Sequence, residues 1–478
     1  MQPVTIAKGD GIGPEIMEAT LEVLQKGGAE IEPEFIEVGR KVYEAGHTAG
    51  ITQDAWDSIR KNQVFFKAPI TTPQGGGYKS LNVSTRKFLG LYANVRPCQS
   101  FYPFVQTRHP EMDLVVIREN EEDLYAGIEH QQTPEVAQCL KLITRPGCEK
   151  IINYAFEYAK KTGRKKVTCF SKDNIMKRTD GLFHQVFDEM AAQYPEIESE
   201  HEIVDIASAK LADDPKSYDV VVTPNLYGDI VSDISAQIAG SVGLSGSANI
   251  GKECAMFEAI HGSAPDIAGK DLANPSGLLN AGIMMLLHID QPQAAERIQN
   301  AWLRTIEDGM HTADIHDETN SCKKLGTEAF AKAVIERLGQ SPGELSPVSF
   351  SEASRNKLFS YERRPAPKKE LLGVDAFFQW DGDDPDHLAS MLSRIAPKEM
   401  PLQMITNRGI KVWPGGFSET FHTDHWRCRF IHPQHQAVQA SHIVELLSNA
   451  IAHDLEVIKT ENLYAFDGER GFSLGQGQ

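Results

Sequence analysis

The stretch Thr223-Pro224-Asn225-Leu226-Tyr227-Gly228-Asp229-Ile230-Val231-Ser232-Asp233 decides how the chain is read. The apolar run before it, 218–222, has the length and composition of a short buried strand. Gly228-Asp229 then opens a helix expected over 230–238. On a helix Asp229 and Asp233 lie four apart, so both carboxylates stand on one face. Like charges at that spacing repel by roughly 0.2–0.5 kcal/mol. A hard divalent cation such as Mg²⁺ relieves this repulsion and keeps positions open for water or substrate oxygens. Without the cation, Asp229 reads as a helix N-cap and Asp233 as a solvated first-turn acid, both favoured by the dipole.

Strand and helix alternate outward from there through about residue 250, which predicts an α/β fold with a largely parallel sheet in parts. The chain opens with strand 4–7, the turn Gly9-Asp10-Gly11-Ile12-Gly13-Pro14 and helix 15–26. This turn is not the G-x-G-x-x-G dinucleotide fingerprint: the third glycine comes too early and a proline follows it. It reads as a structural turn or a site-edge loop. Strand 64–67 leads into a loop running from Thr71 to Gly77, and Ser80, Asn82, Arg86 and Arg96 follow. Two guanidinium forks with a hydroxyl and an amide would cradle a polyanion, although two arginines in such a window can equally be surface charges. Arg118 ends the apolar strand 114–117, with Tyr125 seven residues on; Lys172 follows strand 166–170, and Asp205 stands at the exit of a strand near 200–204. Strand ends are where α/β folds gather their sites.

The 478 residues suggest two to four domains. Apolar content of 41% and charged content of 24% are those of a soluble globular protein. Forty-eight basic against 66 acidic residues, a net charge of -18, argue against a nucleic-acid or anionic-membrane partner. They leave room for a small anionic substrate where basic residues cluster. The seven cysteines are scattered and form no C-x-x-C, so a reducing compartment is expected. There is no charged segment followed by an apolar one near Met1, and no apolar run of about 18 residues, so a cytoplasmic location is expected. After about residue 338 the texture becomes polar and proline-bearing, a linker over 338–370. The module 371–478 reads βαββαβ, a ferredoxin-like pattern. Its histidines between His422 and His442 lack tight ligand spacing.

Taken in order, these motifs resemble the β-decarboxylating dehydrogenases of isocitrate, isopropylmalate, homoisocitrate and tartrate, over residues 1 to about 335. The run S-L-N-V-x-x-R beginning at Ser80 is most similar to the isocitrate branch, and the C-terminal extension resembles that of the long bacterial forms. The resemblance implies the non-Rossmann fold of that family. It implies a large domain formed by 1–98 and 246–337, and a small domain with a dimer clasp over 99–245. Ser80, Asn82, Arg86, Arg96, Arg118, Tyr125 and Lys172 would bind isocitrate. Asp205, Asp229 and Asp233 would hold Mg²⁺ or Mn²⁺, with Asp205 and the K-x-N pair Lys172 and Asn174 serving a neighbouring subunit of a homodimer. Lys172 or Asp205 would relay the hydroxyl proton, and Tyr125 would protonate C3 after CO₂ loss, a step of the tricarboxylic acid cycle. Thr72, Asn174, Glu258, His261, Gly262, Ser263, Ala264, Asp266, Ile267 and Asn274 would bind a nicotinamide cofactor. NADP-linked relatives carry Lys-Tyr where this chain has Asp266-Ile267, and a carboxylate there repels a 2′-phosphate, so NAD is expected. The rivals are homoisocitrate or isopropylmalate oxidation, or a non-catalytic regulatory paralogue. The C-terminal module would serve assembly or effector binding.

Overall fold

The computed structural model describes residues 1–72, 80–350 and 360–475. Residues 73–77 of the Thr71–Gly77 loop and 351–359 of the expected linker lie outside the described residues. The chain divides into two compact units: Met1–Ala126 with Lys141–Tyr361, and Gly127–Leu140 with Glu362–Gln478.

The first unit is built on a ten-stranded sheet with helices on both faces. Its strands run, in spatial order, Ile31–Ile36, Gln2–Ala7, Val64–Lys67, Ala255–Ala259, Gly246–Ile250, Ala93–Gln99, Asp113–Glu119, Val220–Thr223, Lys166–Ser171 and Glu198–Ile203. The first four are mutually parallel and so are the last four. Antiparallel pairings through Gly246–Ile250 and Ala93–Gln99 join the two halves. The expected parallel character is therefore confined to the flanks. Val64–Lys67 and Val220–Thr223 are buried at every position, as strands covered on both faces require. The apolar helix Ser276–His288 packs on Gly246–Ile250 and Ala255–Ala259, and buried Trp302 meets Phe101 edge-on at 4.9 Å.

Two local readings change. The helix carrying Asp229 and Asp233 spans Asn225–Ile238, beginning directly after Pro224. Asp229 is therefore in the helix body, not an N-cap: the bulky start Asn-Leu-Tyr hides a helix that opens one turn before the Gly-Asp pair. Asp205 lies in the first turn of helix Val204–Asp213, not at a strand exit, because strand Glu198–Ile203 stops two residues earlier.

Gly11 (φ 59°) and Gly228 are fixed by close approach. A Cβ on Gly11 would meet the Ser263 carbonyl oxygen at 2.0 Å, and one on Gly228 would meet Arg118 Cγ at 2.5 Å. The opening turn is thus a joint between chain segments, with the Ile12 amide donating to the Ser263 carbonyl at 2.9 Å.

In the second unit an antiparallel sheet runs Ile410–Trp413, Leu402–Asn407, His425–Ile431, Lys369–Gln379, Glu456–Phe466 and Glu469–Arg470. The four central strands, with helices Pro385–Ile395 and Ala440–Ala452, give the ferredoxin-like order. Val374, Phe378, Leu392, Trp426 and Phe430 form its core. The hairpin of Glu129–Gln131 and Ala137–Cys139 groups with this unit. Thr133 Oγ1 donates to Asp424 Oδ1 at 2.5 Å, and the Asp424 amide donates to Glu135 Oε2 at 3.0 Å. No helix among the described residues is long and apolar enough to cross a membrane.

Candidate active site

The sheet's antiparallel seam brings cations to one place. Arg96 from Ala93–Gln99 and Arg118 from Asp113–Glu119 sit on adjacent strands, two positions out of register. Lys67 ends Val64–Lys67, and Arg86 lies on helix Leu81–Phe88, which Ser80 caps. With Asn82, Tyr125, Asp229, Asp233, Glu258 and His261 they line a cavity of about 270 Å³.

Its floor is a buried polar network. Glu258 Oε2 lies 2.5 Å from Lys67 Nζ, while Oε1 accepts from Arg86 at 2.9 Å and from Asn249 at 2.9 Å. Burial alone would raise the Glu258 pKa; Lys67 and Arg86 overcome that and hold the carboxyl far below the usual range. Lys67 is itself lowered, chiefly by desolvation. Arg96 donates to Asn94 Oδ1 and to Ser232 Oγ at 2.6 Å each, and lies 3.5 Å from Asp229 and 3.3 Å from Asp233. Arg118 donates to Asn225 Oδ1 at 2.8 Å and to Asp229 Oδ1, and its guanidinium covers the Tyr125 ring at 4.9 Å. Burial lowers Arg118 to about 10, which leaves it cationic at neutral pH.

The Tyr125 hydroxyl donates to Asp229 Oδ2 at 2.5 Å, and burial followed by this bond raises the phenol's pKa. Burial pushes Asp229 up, but Arg118 and Arg96 bring it below the usual carboxylate range; Asp233, with less help, is raised by burial. Two carboxylates on one helix face, both turned to the cavity, are a hard oxygen donor set suited to Mg²⁺ or Mn²⁺. Asn82 Oδ1 and His261 Nε2 are buried in the wall without a hydrogen-bond partner among the described residues. Such orphaned atoms are costly unless a ligand meets them.

Ser80, Asn82, Arg86, Arg96, Arg118, Tyr125, Asp229 and Asp233 thus converge. Lys172, Asn174 and Asp205 do not line this cavity; Lys172 Nζ and Asp205 Oδ1 pair with each other at 2.7 Å. Of the expected cofactor residues, Glu258, His261 and Gly262 line the wall; Glu258 turns its carboxylate to Lys67, Arg86 and Asn249. Thr72 Oγ1 donates to Ser80 Oγ at 3.2 Å, Ser263 Oγ bonds Thr71 Oγ1 at 2.8 Å, and Asn274 Oδ1 caps the Ser276 amide at 2.9 Å. Ala264, Asp266 and Ile267 form an adjoining turn. Lys67 was missed by sequence reasoning. Its signal, a lysine ending an apolar strand, is the one that marked Lys172.

The only group of three metal-capable side chains within 4.8 Å of one another, among the described residues, is Asp173, His184 and His201. The two imidazoles stack face to face, centroids 3.5 Å apart and 13° from parallel. Their in-plane lone pairs cannot share one ion in that arrangement, and the cluster reads as structural.

A cavity with clustered cations and a helix-borne carboxylate pair defines a site for a small polyanion alongside a divalent cation. The chain belongs to the isocitrate/isopropylmalate dehydrogenase family, whose model matches residues 3–334, and residues 369–478 match the bacterial isocitrate dehydrogenase C-terminal domain. An isocitrate dehydrogenase [NADP] of Rickettsia felis is 53% identical over 479 residues, covering 100% of this chain and 99% of that protein. One of Thermus thermophilus, also named [NADP], is 41% identical over 482 residues, covering 99% of this chain and 96% of that protein. A crystal structure of the TT0538 protein from Thermus thermophilus matches with a TM-score of 0.92 at 41% identity, covering 100% of this chain and 96% of that one.

These relatives overturn the expectation of NAD. Full-length relatives at 41–53% identity carry NADP in their names. That expectation weighed Asp266 and Ile267 apart from the rest of their turn. In the structure Asp266 is exposed, where water screens its charge. Lys270 reaches the same turn, its Nζ 2.7 Å from the Asp266 carbonyl oxygen. A 2′-phosphate there would meet an ammonium as well as a carboxylate.

Proposed function

We propose that the chain is an NADP-linked, divalent-metal-dependent isocitrate dehydrogenase that converts isocitrate to 2-oxoglutarate and CO₂. The names of its full-length relatives support this, and the observation that carries it is the charge balance of the cavity. Lys67, Arg86, Arg96 and Arg118 face Glu258, Asp229 and Asp233, one cation in excess. With a divalent ion on the two aspartates the excess becomes three, which a tricarboxylate neutralises and a dicarboxylate does not.

Asp229 and Asp233 would hold Mg²⁺ or Mn²⁺, with Asp205 of a second copy completing the set in a homodimer. When bound, the metal supplies Lewis acidity at the substrate hydroxyl and at the charge left by CO₂ loss, and NADP accepts the hydride. Arg86, Arg96 and Arg118 clamp carboxylates bidentately, and Ser80 and Asn82 orient the third from the helix start. Lys172 of the second copy, as the neutral amine, or Asp205 beside it at 2.7 Å takes the hydroxyl proton. Tyr125 keeps its proton at neutral pH because burial and Asp229 raise its pKa, and it delivers that proton to C3.

Substrate choice is tested by comparing kcat/KM for isocitrate, homoisocitrate and isopropylmalate with NADP and Mn²⁺, for the wild type and Ser80→Leu. The expected result is a strong wild-type preference for isocitrate that Ser80→Leu reduces at least tenfold. Equal wild-type turnover of isopropylmalate would refute the proposal.

A further inference from the structure

A buried charged group outside the cavity lining has no part in the chemistry above. Asp123 and Asp180 are both fully buried, and Lys141, 11% exposed at its side chain, lies between them. Lys141 Nζ is 2.6 Å from Asp180 Oδ1 and 3.4 Å from Asp123 Oδ1, and it sits 4.7 Å above the Tyr227 ring. Each carboxylate spends its remaining oxygen on backbone or side chain of a different functional segment. Asp180 Oδ2 accepts from the Lys172 amide at 2.7 Å and from the Tyr227 hydroxyl at 3.1 Å. Asp123 Oδ2 accepts from the Leu226 amide at 2.8 Å. Asp123 itself holds a left-handed conformation (φ 65°), two residues before Tyr125.

Three separate segments therefore meet at one ammonium. They are the turn carrying Lys172 and Asn174, the turn carrying Tyr125, and the first turn of the helix that presents Asp229 and Asp233. We propose that Asp123, Lys141 and Asp180 form a positioning clamp that holds these three segments in one geometry. The inference rests on the proposed roles of Tyr125 and Lys172. A buried ion triad is a poor device for stability, since desolvation offsets most of its attraction and apolar replacements are often neutral. What it supplies is direction: Lys141 draws Oδ1 of each aspartate to itself, which turns each Oδ2 to the Lys172 and Leu226 amides. None of the three side chains lines the cavity, so the clamp touches no substrate. Its effect on rate comes from holding the groups that do, where small misplacements are costly.

The test uses Lys141→Met, Lys141→Arg and Asp180→Asn in the full chain, each first checked for wild-type circular dichroism and assembly state. Amide hydrogen exchange is followed in peptides spanning Lys172 and Leu226, and kcat and KM for isocitrate are measured with NADP and Mn²⁺. In Lys141→Met, exchange at both amides should rise at least tenfold. Its kcat should fall at least thirtyfold with KM within threefold, and Lys141→Arg should recover most of that loss. Asp180→Asn should loosen the Lys172 peptide more than the Leu226 peptide, and it serves as the deciding variant where Lys141→Met does not fold. Wild-type exchange at both amides in a folded variant overturns the clamp, as does a kcat within twofold of wild type. A wild type that fails to turn over isocitrate refutes the functional reading alone, and the exchange measurements then decide the clamp by themselves.

Discussion

Lys67→Met probes the floor of the cavity. The methionine fills nearly the same volume but removes one of the two cations that hold Glu258 ionised 2.5–2.9 Å away in a fully buried position. Breaking a buried ion pair costs about 3–5 kcal/mol. Arg86 and Asn249 remain as partners of Glu258, so the lower end, about 3 kcal/mol, is expected. A unit of roughly 350 residues has an unfolding entropy near 0.7 kcal/mol per kelvin, so Tm should drop by about 4 °C. The pH dependence has a definite sign. A depressed carboxyl pKa contributes stability above the unfolded value near 4.3 and loses it as pH falls through the folded pKa. In the variant the folded pKa rises toward the unfolded value, so this group loses less stability on acidification and the Tm gap to the wild type should narrow as pH falls below about 4.3. Thermal melts from pH 8 to pH 3.5, without metal or cofactor, measure both effects. Adding Glu258→Gln should give a double variant less damaged than the two single losses combined. A Lys67→Met protein melting within 1 °C of wild type at pH 7.5, or strict additivity in the double variant, would refute the reasoning.

Other perturbations have equally definite outcomes. Tyr125→Phe should slow exchange of the C3 protons of 2-oxoglutarate with D₂O by about a hundredfold, the low end for a lost acid–base group. Mn²⁺ binding, followed by calorimetry, should survive in that variant. Asp233→Asn should remove the Tm gain that Mn²⁺ gives the wild type, because it takes one of the two carboxylates from the helix face. Burial, then the adjacent His184, lowers the His201 pKa. Its neutral form therefore favours folding, and this stability is lost as pH falls below about 6.5. His201→Gln should flatten the Tm profile between pH 7 and pH 5, as a buffer-matched melting series would show.

Much of this architecture was legible because it follows from local pattern. Fully buried strands such as Val220–Thr223, and helices with clear ends such as Pro385–Ile395, announce themselves through apolar runs and capping. Arg118 near the end of its strand, and Asp229 on the helix that follows Val220–Thr223, converge because an α/β sheet delivers its strand exits to one edge. What local pattern does not carry is register. The antiparallel seam sets Asn94 opposite Arg118 and Asn249 opposite Asn94, and neither period nor propensity distinguishes it from a parallel crossover. Strand Ile410–Trp413 was passed over because its four residues are too short for an alternation to show. Lys67 was hidden because a buried lysine reads as a strand's solvated end until its partner, Glu258, is brought beside it from 191 residues away. The cofactor expectation failed for a related reason: Asp266 was read without Lys270, whose ammonium folds back on the same turn.

The most direct test of the account is reduction of NADP by the purified chain with D-isocitrate and Mn²⁺, followed at the nicotinamide absorbance, with NAD titrated in parallel and a chelator in a matched series. The account predicts metal-dependent NADPH formation with one 2-oxoglutarate and one CO₂ per turnover, and a higher kcat/KM for NADP than for NAD. Absence of NADP reduction under saturating isocitrate and Mn²⁺, or turnover that persists in excess chelator, would contradict it.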